Sequence, residues 1–210
     1  MKTIVPILVI FQLLSSCSSS RLVDEYVNAE HPYFQANKVL VIGLTPDGGL
    51  QRQFEYSLVN ALMAENIMAV KSSDYFEEPI YEIDQSEENL ANLKIQLMEA
   101  GFDAVLFSKI TGQQSKVTVV QSYRNLIKSF ESFNDYYNQN RPVHGNEQIE
   151  DYPVYNTETP LYCLCSEKER DLVWRAQIDI VDPPKAATTI RDYIKTLVRT
   201  LEKNNLLIVK

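Results

Sequence analysis

The sequence predicts one α/β domain, a mixed sheet with helices packed on it. Three observations lead there. Short, continuous apolar runs alternate with stretches of helical periodicity through the first half, in the order βαβαβ. Leu172 to Val181 then alternates apolar and polar residues, the pattern of an antiparallel strand. A long amphipathic stretch over 186–203 closes the chain as a helix. With 210 residues, 45% hydrophobic and 23% charged, the chain can bury one core.

The first element belongs to export rather than to the fold. Met1-Lys2-Thr3 is a short positive start, Ile4 to Leu14 is apolar apart from Pro6 and Gln12, and Ser15-Ser16 are small. That order is a secretory signal over 1–16. Its apolar run is too short to cross a bilayer as a helix. Leu14-Ser15-Ser16-Cys17 resembles the bacterial lipobox, which implies diacylglycerol on the Cys17 sulfur and cleavage before it. Two or more acyl chains hold a protein stably on a membrane. Ser18, in place of Asp, points in that sorting pattern to the outer membrane, and the absence of an acid before Asp24 to its periplasmic face.

Residues 17–37 read as a lipidated tether, Ser-rich at first and without sustained period. Some twenty residues can reach roughly 70 Å when extended. The domain is expected over 38–210. Lys38 to Leu44 (KVLVIGL) is a buried strand, Thr45 to Gly49 a turn, and 50–66 a helix with Leu50, Phe54, Leu58, Ala61 and Leu62 inward. Ile67 to Val70 is the next strand, parallel to the first through a right-handed crossover. The acidic stretch 74–85 reads as a loop. Asp84 to Glu87 has capping-box spacing for a helix over 86–100 that buries Leu90, Leu93, Leu97 and Met98, with Gly101 past its end. Asp103 to Ile110 is the third strand, and Lys116 to Tyr123 can pair with it as a hairpin.

Residues 124–160 form an irregular Tyr-rich excursion, with a short helix expected over 125–138. Leu161 to Ser166 and Leu172 to Val181 form a hairpin. In its second arm Leu172, Trp174, Ala176, Ile178 and Ile180 face the core, and Val173, Arg175, Gln177 and Asp179 face water. Leu206 to Val209 adds a short last strand.

The formal net charge is −8, and loss of Lys2 with the signal takes it to −9. Such a chain has no general attraction to nucleic acid or to an anionic membrane. Few motifs for chemistry survive inspection. Gly43 and Gly48 have phosphate-loop spacing, but Gly49 and Leu50 stand where Lys and a hydroxyl residue belong. His31 lies in the tether and His144 in the excursion, and neither starts a His-x-Lys motif. Cys163 and Cys165, at i and i+2 of an extended run, are expected to stay unpaired. They lack neighbouring ligands for a metal, and no cofactor is expected.

Two surfaces remain as candidates for binding. Tyr136, Tyr137, Tyr152 and Tyr155 offer broad rings with polar tips, suited to protein interfaces or to sugar stacking, though they can equally cover a sheet edge. Arg191, Lys195, Arg199 and Lys203 recur every four residues as a loose basic stripe, which suits anionic headgroups or an acidic partner, or is simply a solvated face.

The stretches KVLVIGLTPDGGLQRQFEYSLVNAL, AGFDAVLFSKI and LYCLCSEKERDLVWRAQIDIVDP resemble a group of small Gram-negative lipoproteins. The matching features are the opening strand and Thr-Pro turn (Val39 to Pro46), the Gly-Phe-Asp-Ala strand (Gly101 to Leu106) and Leu172 to Trp174 after an acid-rich turn. The likeness covers about 38–203. It implies a fold similar to the N-terminal domain of the Tol-Pal translocation protein and to the curli-secretion lipoprotein, whose kind bind proteins in envelope assembly. The expectation is therefore a non-enzymatic lipoprotein that binds another envelope protein or its own copies. A glycan- or lipid-binding module built on the tyrosines is the alternative, and a carboxylate hydrolase a third.

Overall fold

The computed structural model describes residues 19–45, 47–78, 86–114, 154–165, 172–181 and 186–207. Among these residues ten elements follow in chain order: β1 (Ser20–Val27), β2 (Lys38–Leu44), α1 (Gly48–Ala64), β3 (Met68–Lys71), α2 (Ser72–Tyr75), α3 (Glu87–Glu99), β4 (Ala104–Gln114), β5 (Val154–Cys163), β6 (Leu172–Val181) and α4 (Ala186–Lys203). The strands form one six-stranded mixed sheet in the order β1-β6-β5-β4-β2-β3. β3, β2 and β4 are parallel, as the βαβαβ order requires. β5, β6 and β1 add antiparallel to them.

Local chemistry sets the helix boundaries. Asp47 caps α1, its side chain accepting from the backbone N–H groups of Gly49 and Leu50. This carboxylate occupies the donors that a phosphate would need, so the Gly-rich turn is structural. Ser86, rather than Asp84, caps α3 by accepting from the N–H of Asn89. The three long helices end alike. Asn66, Gly101 and Asn205 each take a positive φ, and the next residue's N–H reaches back five positions, to Leu62, Leu97 and Leu201. This is the Schellman stop, and Gly101 holds the predicted place in it.

The two faces of the sheet carry separate cores. On the first, α1 and α4 bury Leu58, Leu62, Ile194, Leu197 and Leu201 against Val39, Val41, Leu106, Trp174, Ala176 and Ile178. On the second, α3 buries Leu90, Leu93 and Leu97 against Leu40, Ile42, Val105 and Phe107. Asp103 ties the parallel strands at their start: its carboxylate accepts from the N–H groups of Asn37 and Lys38.

Several expectations are corrected here. Residues from Ser20 onward are no tether: β1 is an edge strand paired with β6, His31 is buried, and Ala36 bridges Leu207. The signal came through poorly because an edge strand wetted on one side carries only partial alternation. β5 begins at Val154, well inside the stretch read as irregular. Its polar segment and Pro160 argued against a central strand. Pro160 is accommodated because it pairs with Arg175 of β6 while the β4 register runs from Leu106–Leu161 to Lys109–Glu158 without it.

The alternation along β6 holds from Trp174 onward, but its polar side is not wet: Arg175, Gln177 and Asp179 are buried, and Val173, expected to face water, is buried in the first-face core. Leu172 joins the second-face core instead of the first, since a register shift opposite Leu161 and Tyr162 moves it across the sheet. Cys163 and Cys165 are joined as a disulfide. The strand ends at Cys163, so the chain bends and brings the two Cα atoms to 5.2 Å, inside bridging range. A one-turn helix, α2, stands where part of a loop was expected. The expected hairpin arm at 116–123 and the helix at 125–138 lie outside the described residues.

Candidate functional site

The C-terminal ends of β2 and β4 meet the N-terminal halves of α1 and α4, and a half-open cavity of about 310 Å³ lies between them. Gly43, Leu50, Phe54, Ile180, Ile190 and Tyr193 are among the residues that line it. The rings of Phe54 and Tyr193, 5.9 Å apart and tilted, bridge α1 to α4 beside it. Gly43 eases the close approach of α1 to β2, since a Cβ there would lie 3.1 Å from Cδ1 of Phe54.

The polar groups of the lining are already engaged. The Tyr193 hydroxyl hydrogen-bonds to Oγ of Ser108 at 2.8 Å and to Oγ1 of Thr159. Thr157 donates to the carbonyl of Ile178 at 2.7 Å. Burial pushes the Tyr193 phenol above its usual 10.0, with its hydroxyl partners opposing. The wall is therefore apolar in effect as well as in composition.

Behind the cavity, Glu55 of α1 is fully buried. Its Oε1 accepts from the Gly43 N–H at 2.9 Å, the Gln51 amide at 3.0 Å and the Ser72 hydroxyl at 2.6 Å. Its Oε2 accepts from the Ser73 N–H at 3.2 Å. One carboxylate thus joins β2, α1 and the start of α2. This is a positioning group with all its capacity spent inside the fold.

The second face carries a buried polar row across β4, β5 and β6. Glu158 lies between Nζ of Lys109 at 3.2 Å and Nη1 of Arg175 at 3.5 Å. Asn156 donates to Asp179 at 2.7 Å. Burial lowers the Lys109 pKa from its ordinary value, and the adjacent Glu158 opposes that fall. Oε1 of Gln177 and Oδ1 of Asn156 have no hydrogen-bond partner among the described residues. Sequence reasoning missed this row because polar residues at every second position look like a solvated face until the neighbouring strands are known. The one available signal was Lys109, which interrupts the apolar run of β4.

Of the residues singled out in the sequence, Cys17, Tyr136, Tyr137 and Tyr152 lie outside the described residues. Tyr155 is half-buried and lines the cavity. Arg191, Lys195, Arg199 and Lys203 are all exposed along α4. Lys203 pairs with Glu25 at 2.9 Å, and Asp192, beside the stripe, accepts from Ser19. Among the described residues no three His, Cys, Asp or Glu side chains gather as a metal site, and no helix is long and apolar enough to cross a membrane.

No model of a protein family matches the chain, and no curated protein does either. Solved structures do show a likeness. The PelC dodecamer from Paraburkholderia phytofirmans is 11% identical, with 90% of this chain and 97% of that chain covered and a TM-score of 0.42. A DUF4136 family protein from Bacteroides thetaiotaomicron is 10% identical over 88% of this chain and 97% of that one, at a TM-score of 0.40. Lipoprotein GNA1162 from Neisseria meningitidis is 10% identical over 79% and 98%, at 0.38. Likeness at this level assigns neither family nor activity.

Proposed function

We propose that the chain is a lipid-anchored protein of a bacterial envelope, held at the periplasmic face of the outer membrane, whose α/β domain binds another envelope protein or its own copies and catalyses no reaction. The observation that carries this is the apolar signal ending in Leu14-Ser15-Ser16-Cys17, three residues ahead of the first strand. Two further observations support it. The Cys163–Cys165 disulfide suits an oxidising compartment outside the cytoplasm. Among the described residues β1 ends the sheet and leaves Val23, Tyr26 and Val27 partly exposed, and an open strand edge pairs readily with another chain.

The resemblance of the sequence to envelope-assembly lipoproteins agrees with a binding role. So does the Glu55 carboxylate, whose bonds to Gly43, Gln51, Ser72 and Ser73 serve the fold. The test has two parts. Mass spectrometry of the protein taken from membranes should find Cys17 acylated, and Cys17→Ser should release the chain into the soluble fraction. Crosslinking in intact envelopes should then capture one defined protein, or a second copy, that Tyr26→Lys no longer captures. A bare Cys17 thiol ends the anchored reading, and capture without any defined protein ends the partner reading.

A further inference from the structure

The two ends of the sheet are not equivalent. Ser20 pairs with Ile180, and Val154 pairs with both Val181 and Gln114, so β1 begins at the end where β4 and β6 finish. The cavity lies at that same end. Ser19 is fixed there, its N–H and hydroxyl both donating to Asp192 at 3.3 and 3.0 Å, next to cavity-lining Tyr193. Two residues of chain reach at most about 7 Å. A lipid carried on Cys17 therefore starts beside the cavity end of the domain, and that end is the one held to the bilayer.

The lining selects among ligands. Its hydroxyls at Ser108, Thr157 and Tyr193 are spent on bonds within the fold. A sugar or peptide placed there would lose its water and find few partners, which disfavours it. A hydrocarbon asks for none. The volume, about 310 Å³, sits at the lower limit of ligand pockets and suits part of one chain rather than a whole two-chain lipid.

From this we infer that the cavity takes a single aliphatic acyl chain of a lipid. The tail lies among Phe54, Ile180, Ile190 and Tyr193, and the polar end stays at the rim near Thr45 and half-exposed Ile110. This deepens the anchored reading, but only the source of the chain rests on it: the acyl chain is either one carried by Cys17 or one drawn from the bilayer.

The experiment uses the full chain, purified from membranes, and its Cys17→Ser form. Each is incubated with palmitate bearing a photoreactive diazirine, irradiated, and mapped by peptide mass spectrometry. Saturable labelling of α1 and α4 at the cavity wall is expected. Ile190→Trp, which fills the space, should weaken it by about tenfold. Should that variant fail to fold, the label map on the native side chains decides alone. Labelling of the Cys17→Ser form but not of the lipidated one identifies the protein's own chain as occupant, and labelling of both identifies a bilayer lipid. A bare Cys17 with cavity labelling intact would sink the anchor and keep the site. No saturable label, or label mapping away from α1 and α4, overturns the inference.

Discussion

Replacing Glu55 by leucine removes the acceptor of four donors while keeping most of the side-chain volume. The Ser73 N–H begins the short helix α2, next to solvent, and can turn to water. Gln51 can swing outward. The Gly43 N–H and the Ser72 hydroxyl are buried and have nowhere to turn. An unsatisfied buried donor costs about 1–3 kcal/mol, so two give about 2–6 kcal/mol. Relief from desolvating a carboxylate offsets part of this, which leaves an expected loss of about 2–4 kcal/mol. Each kcal/mol lowers the melting temperature of a domain this size by about 2–4 °C, so a fall of about 4–16 °C is expected. Urea unfolding followed by tryptophan emission reads the loss through Trp174, the single tryptophan, which is fully buried. The midpoint should drop with the slope unchanged. Hydrogen exchange at the Gly43 amide should quicken more than that of amides in β6. A Glu55→Leu protein as stable as the parent would refute the view that this carboxylate holds β2, α1 and α2 together.

Glu158→Gln leaves Lys109 and Arg175 buried without their counter-charge and should cost about 3–5 kcal/mol. Because burial already lowers the Lys109 pKa, the unfolded chain binds its proton more strongly, so stability of the variant should climb as pH rises through the folded-state value; a flat alkaline profile would contradict this. Tyr193→Phe should cost only about 1 kcal/mol, since Ser108 and Thr159 also bond each other. The parent phenol is raised above 10.0, so its contribution is intact below that pH and lost above it; denaturation midpoints should fall more steeply in the parent than in the Phe variant over that range. Glu25→Gln should lose under about 1 kcal/mol, because Lys203 is mostly exposed. The Glu25 pKa is lowered by Lys203 and Asn204, against an opposing burial effect, so its contribution exists above 4.5 and vanishes in acid; equal acid titrations of parent and variant would contradict this.

Much of the architecture was legible in the chain before any contact was known. KVLVIGL reads as a buried strand because its apolar run has no polar face to offer. α1, α3 and α4 were placed within a residue or two by their periodicity, and the stop of α3 by Gly101. β6 was placed to the residue. The parallel core of β2, β3 and β4 follows from the element order, because a short crossover can close in only one hand. These are local or nearest-neighbour properties, and local sequence carries them.

The candidate site was hardly legible. Tyr155 was chosen among four tyrosines, and only the fold puts it on a cavity wall. Tyr193 was not singled out in the sequence, yet it joins Ser108 and Thr159 from strands far away in the chain.

What the sequence by itself determined is the three long helices and the parallel strands, since each rests on a period or a spacing within a short window. Only the tertiary structure decided that residues 20–27 complete the sheet, that Lys109, Glu158 and Arg175 share a buried row, and that the cavity sits at the end where the chain enters. The reason is that pairing partners such as Ser20 and Ile180 are set by register across the whole chain, and a residue's burial depends on what arrives opposite it.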